Sequence, residues 1–264
     1  MRSLAVFAAV FLATCSFAQD WAKKKLDASN RHQEWVKVKN GDREVSCFVV
    51  YPERKDKAPV LLLIHEIMGM SDWVESVADE AAAAGFIAIA PDFLSEMGPS
   101  GGRTDSFADL QHIREAISGL SANQVVGDLN AAANYAKTIP STNGKIAVAG
   151  FCWGGGQSFN FATARPDLSA AFVFYGTPPT ASAMANIHCP VYGFYGGMDN
   201  RVSSTVPKAQ EEMKAASKKY EAQVFEGAGH GFMRSGQQPD PDPANKKARD
   251  SAWQKMLEVI NKAR

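Results

Sequence analysis

The chain has 264 residues, a length suited to one domain with a full core. Its 45% hydrophobic and 21% charged content is that of an ordinary globular protein, and 28 basic residues balance 28 acidic ones, giving a formal net charge of zero. That balance argues against nucleic acid or an anionic membrane surface as a partner.

Met1-Arg2-Ser3 is a short basic start, residues 4–14 are an apolar run, and Ser16-Phe17-Ala18 places small residues ahead of Gln19. This reads as a secretory signal peptide over residues 1–18, too short for a membrane-spanning helix, which needs ~20 apolar residues. The mature chain is then expected to be extracytoplasmic, periplasmic or secreted, with no membrane span of its own. A competing reading is lipidation at Cys15, although Thr14 stands where a lipobox usually has Gly or Ala. Residues 19–33 read as a polar tail in which Lys23-Lys24-Lys25 is solvated. The mature cysteines are Cys47, Cys152 and Cys189, an odd number that leaves at least one free or intermolecular thiol. A disulfide between Cys47 and Cys189 is open at this point.

From residue 34 to the end, a regular beat of strands and helices predicts a single α/β domain. Residues 35–38 and 44–51 read as strands, the second in clean alternation. Residues 59–64 are apolar on both faces, as a central parallel strand requires. An Ala-rich helix over 72–84 and a buried strand over 86–90 follow, then a Gly- and Pro-rich loop over 94–105. Residues 106–139 fit two helices broken near Ser118-Gly119. Strands are expected over 145–150, 170–175, 190–195 and 221–226, with helices over 157–164, 207–219 and 243–263.

Three of those strands end in chemistry-bearing residues. Gly150-Phe151-Cys152-Trp153-Gly154 is a strand-to-helix turn that matches the nucleophile elbow G-x-S-x-G with sulfur in place of oxygen. Small flanking residues suit a tight, strained turn, and a helix N-terminus favours a thiolate. Gly196-Gly197-Met198-Asp199 follows the next-to-last strand, and Gly229-His230-Gly231-Phe232 follows the last. The order nucleophile, acid, histidine, each just past a strand, is that of an α/β-hydrolase triad. In that chemistry His230 moves the thiol proton, and Asp199 fixes the imidazole tautomer.

These segments, together with Ile64-His65-Glu66-Ile67-Met68-Gly69, Ala90-Pro91-Asp92 and the stretch from Ala248 to Trp253, resemble the dienelactone hydrolase (carboxymethylenebutenolidase) family. The resemblance runs from about residue 34 to the end. It implies an α/β-hydrolase fold with a mostly parallel central sheet and helices on both faces, and hydrolysis of a small ester or lactone through an acyl-cysteine. It implies further that Glu66 contacts the thiol and helps deprotonate it when substrate arrives. The backbone N–H groups of Ile67 and Trp153 would form the oxyanion hole. Arg234 matches an arginine that binds a substrate carboxylate, and Arg103 is a looser counterpart of a second one.

His65 beside Glu66 has no second ligand at useful spacing, and no metal, dinucleotide or phosphate-loop motif is present, so no metal and no cofactor are expected. The partner is expected to be a small-molecule ester or lactone, and the protein a monomer. A broad carboxylesterase or thioesterase, a thiol-redox protein and a non-catalytic binding member of the fold are the competing readings.

Overall fold

The computed structural model describes residues 19–262. The readings of a signal peptide and of lipidation at Cys15 lie outside these residues. Eight strands, β1 (Gln33–Asn40), β2 (Arg43–Val50), β3 (Ala58–Ile64), β4 (Ile87–Pro91), β5 (Thr142–Phe151), β6 (Ala170–Phe174), β7 (Val191–Gly196) and β8 (Tyr220–Phe225), form one sheet in the order β1-β2-β4-β3-β5-β6-β7-β8. β2 is antiparallel to both β1 and β4, and every neighbour from β4 through β8 is parallel. Around the sheet run α1 (Asp20–Asp27), α2 (Asp72–Ala83), α3 (Leu110–Ser118), α4 (Ala122–Thr138), α5 (Trp153–Ala164), α6 (Ala181–Met184), α7 (Asn200–Ser203), α8 (Val206–Ala215), α9 (Phe232–Ser235) and α10 (Pro243–Lys262). Among the described residues, no helix is long and apolar enough to cross a membrane.

The continuous apolar runs explain the layering. In β3, Val60, Leu62 and Ile64 face one core with α4, α5 and α8, while Leu61 and Leu63 face a second with α2 and α10. β4 divides the same way, Ile87 and Ile89 against Ala88 and Ala90. A strand covered on both faces has no use for polar alternation. β8, one of the two edge strands, is half exposed.

Two details differ from the sequence reading. The stretch read as a polar tail carries α1, which buries Ala22 and packs on α2. Trp21 and Leu26 pack against the same core, three apolar positions among lysines and aspartates that are too few for a periodicity reading. The segment just after α1 is held by polar contacts. Asp79 of α2 accepts from Arg31 at 2.9 and 2.7 Å, from the Ser29 hydroxyl at 2.5 Å and from Gln33 at 3.3 Å. The Gln19 side chain accepts from the Trp73 N–H at the start of α2, at 3.1 Å. Second, Cys47 and Cys189 are both buried free thiols. Four strands separate β2 from β7, which at about 4.8 Å per strand puts them about 24 Å apart, far beyond the ~7 Å a disulfide can span. Burial pushes the Cys189 thiol up to about 11 and raises Cys47 further.

Burial pushes the Asp79 carboxyl upward, but the hydrogen bonds from Arg31 and Ser29 outweigh it and hold the group below its ordinary value. A lowered folded value stabilises the fold above the unfolded pKa of about 3.9, and that contribution is lost as pH falls through the folded value. Asp79→Ala is expected to cost about 1–3 kcal/mol and to lower Tm by several degrees. Thermal melts at neutral pH check this; an unchanged Tm would mean that anchoring the segment after α1 adds nothing to stability.

Candidate active site

Cys152 sits between the end of β5 and the start of α5 with φ 56° and ψ −116°, a conformation that L-residues rarely adopt. The turn is possible because Gly150 and Gly154 have no Cβ. One added at Gly150 would lie 1.9 Å from the Gly154 carbonyl oxygen, and one at Gly154 would lie 2.4 Å from the carbonyl oxygens of Ile64 and His65. The Cys152 N–H donates to the Phe174 carbonyl at 3.0 Å, which ties the elbow to β6. The thiol is thereby raised above the C-terminal ends of the parallel strands.

The loops after β7 and β8 meet there. The Gly197 N–H donates to Phe225 O at 2.8 Å, and the Met198 N–H to Ala228 O at 2.9 Å. Asn245 of α10 accepts from the Gly229 N–H at 2.8 Å and so holds the histidine loop from below. Asp199 is buried, and its Oδ2 lies 2.5 Å from Nδ1 of His230. The interaction with Cys152 is the largest influence on His230 and raises its pKa; burial opposes this, and the bond to Asp199 adds to the rise. His230 is thus in hydrogen-bond contact with Asp199, and its protonation responds to Cys152.

Glu66, just past β3, is 3% exposed. Its Oε2 accepts from Arg234 Nε at 2.9 Å, and its Oε1 accepts from the Tyr175 hydroxyl at 3.4 Å. Its hydrogen-bond partners are therefore Arg234 and Tyr175, and the contact with the thiol implied by the resemblance is not among them. Desolvation would lower the Arg234 pKa, but attraction to Glu66 raises it overall, so the guanidinium stays charged. Burial raises the Tyr175 pKa well above its ordinary value, so its hydroxyl remains a donor. Tyr175 itself has φ 43° and sets its ring edge-on to His230 at 5.0 Å.

A cavity of about 300 Å³ opens over the thiol, lined by Ile67, Cys152, Trp153, Tyr175, Thr177, Arg201 and Val202. Trp153 opens α5, so its N–H has no acceptor within the helix. Ile67 and Trp153, the two residues expected to supply the oxyanion-hole N–H groups, both line the space in front of Cys152.

Arg103 is placed elsewhere. Its guanidinium lies 3.5 Å from the Trp35 ring centroid and binds Asp105 at 2.9 and 3.0 Å. None of these partners lines the cavity. The residue the sequence reading missed is Arg201, on the cavity wall two positions past Asp199. Among the described residues its guanidinium has no ion pair or hydrogen bond. Its closeness to Asp199 in sequence was the available signal.

A parallel sheet with a strained nucleophile elbow, and an acid and a histidine on the following strand ends, defines an α/β-hydrolase. Residues 45–264 match the model of the dienelactone hydrolase family. The chain belongs to that family and is a carboxylic ester hydrolase of its type. A protein of Escherichia coli O157:H7, provisionally named a carboxymethylenebutenolidase, is 30% identical over 78% of this chain and 78% of its own length. Carboxymethylenebutenolidase 1 of Cupriavidus pinatubonensis is 27% identical over 68% of this chain and 77% of its own. Among solved structures, a Klebsiella pneumoniae protein provisionally named a dienelactone hydrolase superposes with a TM-score of 0.77 at 22% identity, covering 88% of this chain and 99% of that one.

The imidazole geometry is testable by NMR titration of the His230 ring. The midpoint in the native protein is expected above the ordinary value of about 6.5. Asp199→Asn removes an anion that favours imidazolium, so the midpoint should fall, and turnover should fall by about 10²–10⁴. A midpoint unmoved by the substitution would mean that the contact is not made in solution.

Proposed function

We propose that this chain hydrolyses a small ester or lactone with Cys152 as nucleophile, outside the cytoplasm after removal of the leader. The observation that carries the reading is the strained elbow at Cys152, which opens on a cavity also lined by Ile67 and Trp153, with the Asp199–His230 pair on the neighbouring strand ends. The thiol gives its proton to His230 as sulfur bonds to the substrate carbonyl carbon. The oxygen takes the electron pair, and the N–H groups of Ile67 and Trp153 stabilise it. Collapse breaks the C–O bond, and His230 protonates the leaving alkoxide, which in a lactone stays tethered to the acyl group. Water then gives a proton to His230 and attacks the thioester, and the acid leaves as the thiol is restored. Two aligned donors fit this step, since removing one typically slows turnover by ~10²–10³.

Glu66 enters through Arg234. The pair is nearly buried on the carboxylate side, where a charge stripped of its partner is costly. A substrate carboxylate that draws Arg234 away leaves Glu66 as a second acceptor close to the thiol. Arg201, on the cavity wall, offers a further cation that has no ion pair or hydrogen bond among the described residues.

Cys152→Ala is expected to abolish turnover of cis- and trans-dienelactone and of p-nitrophenyl acetate, with mature native protein as control. Turnover that survives in the variant would overturn the cysteine reading. Lactone turnover well above that of the ester would assign the substrate to the lactones, and ester turnover alone would move it to simple esters. Arg201→Met is expected to raise KM for a carboxylate-bearing lactone by about tenfold, the loss of ~1.4 kcal/mol of charge-assisted binding. KM for p-nitrophenyl acetate, which has no charge, should stay within about twofold; equal effects on both would remove Arg201 from anion recognition.

A further inference from the structure

His65 is fully buried, and no step above uses it. Its Nδ1 lies 2.8 Å from the carbonyl oxygen of Glu66, and the Phe93 N–H points at its Nε2 from 3.5 Å. A ring nitrogen that faces an N–H donor must be the acceptor, so the proton sits on Nδ1 and is donated to Glu66 O. Burial also lowers the His65 pKa and keeps the ring neutral. The Glu66 carbonyl belongs to the same peptide unit as the Ile67 N–H. That unit is planar and trans, so fixing its oxygen fixes the opposite direction of its N–H. The other face of the site is braced by the same ring, which stacks on the Trp153 indole with centroids 5.5 Å apart and planes 20° apart. The His65 backbone joins in: its carbonyl oxygen would lie 2.4 Å from a Cβ at Gly154, in the first turn of α5.

We propose that His65 is a positioning residue for the oxyanion hole, aiming the Ile67 N–H through the Glu66 carbonyl and bracing Trp153, without touching substrate. This rests on the cysteine-hydrolase reading above. A misaligned donor weakens stabilisation of the oxyanion while substrate binding is untouched, so the defect falls on kcat and spares KM.

The test compares His65→Phe, which keeps an aromatic stack and loses the donor, with His65→Asn, whose amide nitrogen can stand where Nδ1 stands. For each, kcat and KM are measured on an ester the native enzyme turns over, beside Tm and the rate of Cys152 alkylation by iodoacetamide. Alkylation attacks a saturated carbon, forms no oxyanion and so reports the thiol without the hole. For His65→Phe, kcat should fall about 10- to 100-fold while KM and alkylation stay within about twofold. His65→Asn should keep kcat within about tenfold of the native value. A folded His65→Phe with kcat within about threefold, or with kcat and alkylation falling together, overturns the proposal. If His65→Phe does not fold, His65→Asn decides alone: normal alkylation with kcat down by more than about tenfold overturns it, and a smaller loss supports it. Cys152→Ala in the same assay separates the two readings. Turnover that persists there defeats the nucleophile assignment, whereas its loss leaves the His65 comparison to be judged by itself.

Discussion

Everything around the site depends on one backbone crossing. The chain must leave β5, reverse at a single residue and enter α5 while that helix lies directly on the end of β3. Gly150 and Gly154 allow it, because any Cβ at either would sit inside van der Waals contact with a carbonyl. The conformation of Cys152 costs on the order of 1–3 kcal/mol, and the surrounding sheet, buried on both faces, holds it in place. The backbone contact of Gly154 with Ile64 and His65 sets more than the cysteine. It brings the loop after β3 beside the elbow, so Glu66 and Ile67 come within reach of the proposed nucleophile by the same contact that places Trp153.

The charges around this crossing are divided. Two buried carboxylates serve one small region, and each is matched to a different cation. Asp199 faces an imidazole that can gain or lose its proton, and Glu66 faces a guanidinium that cannot. Tyr175 hydrogen-bonds to Glu66 and packs its edge on His230, so the two pairs share one rigid wall without sharing a proton.

Much of this was legible in the sequence because the relevant signals are local. Runs such as Leu61-Leu62-Leu63-Ile64 suit a strand covered on both faces, and each candidate triad residue follows a strand through a glycine. Cys152, Asp199 and His230 are therefore marked by what immediately precedes them. The parts that were not legible depend on partners far away in the chain. The anchoring of the segment after α1 depends on Asp79, some fifty residues on. The burial of His65 between Phe93 and Trp153 is likewise invisible to any window of the sequence. The separation of Cys47 from Cys189 follows from strand order, which no local pattern encodes.

The two arginines outside the Glu66 pair show how such partners decide a role. Arg103 lies in a loop at a strand's C-terminal end, the place where ligand contacts are expected in open α/β sheets. Its guanidinium is nevertheless taken by Asp105 and by the face of Trp35. To meet a substrate it would have to give up both contacts. Arg201 has neither contact to lose, and it stands on the wall of the cavity that holds Cys152. Arg234, by contrast, is committed to Glu66. Arg201 lies in the short helix that follows Asp199, so one segment carries both the partner of the imidazole and a cation on the cavity wall.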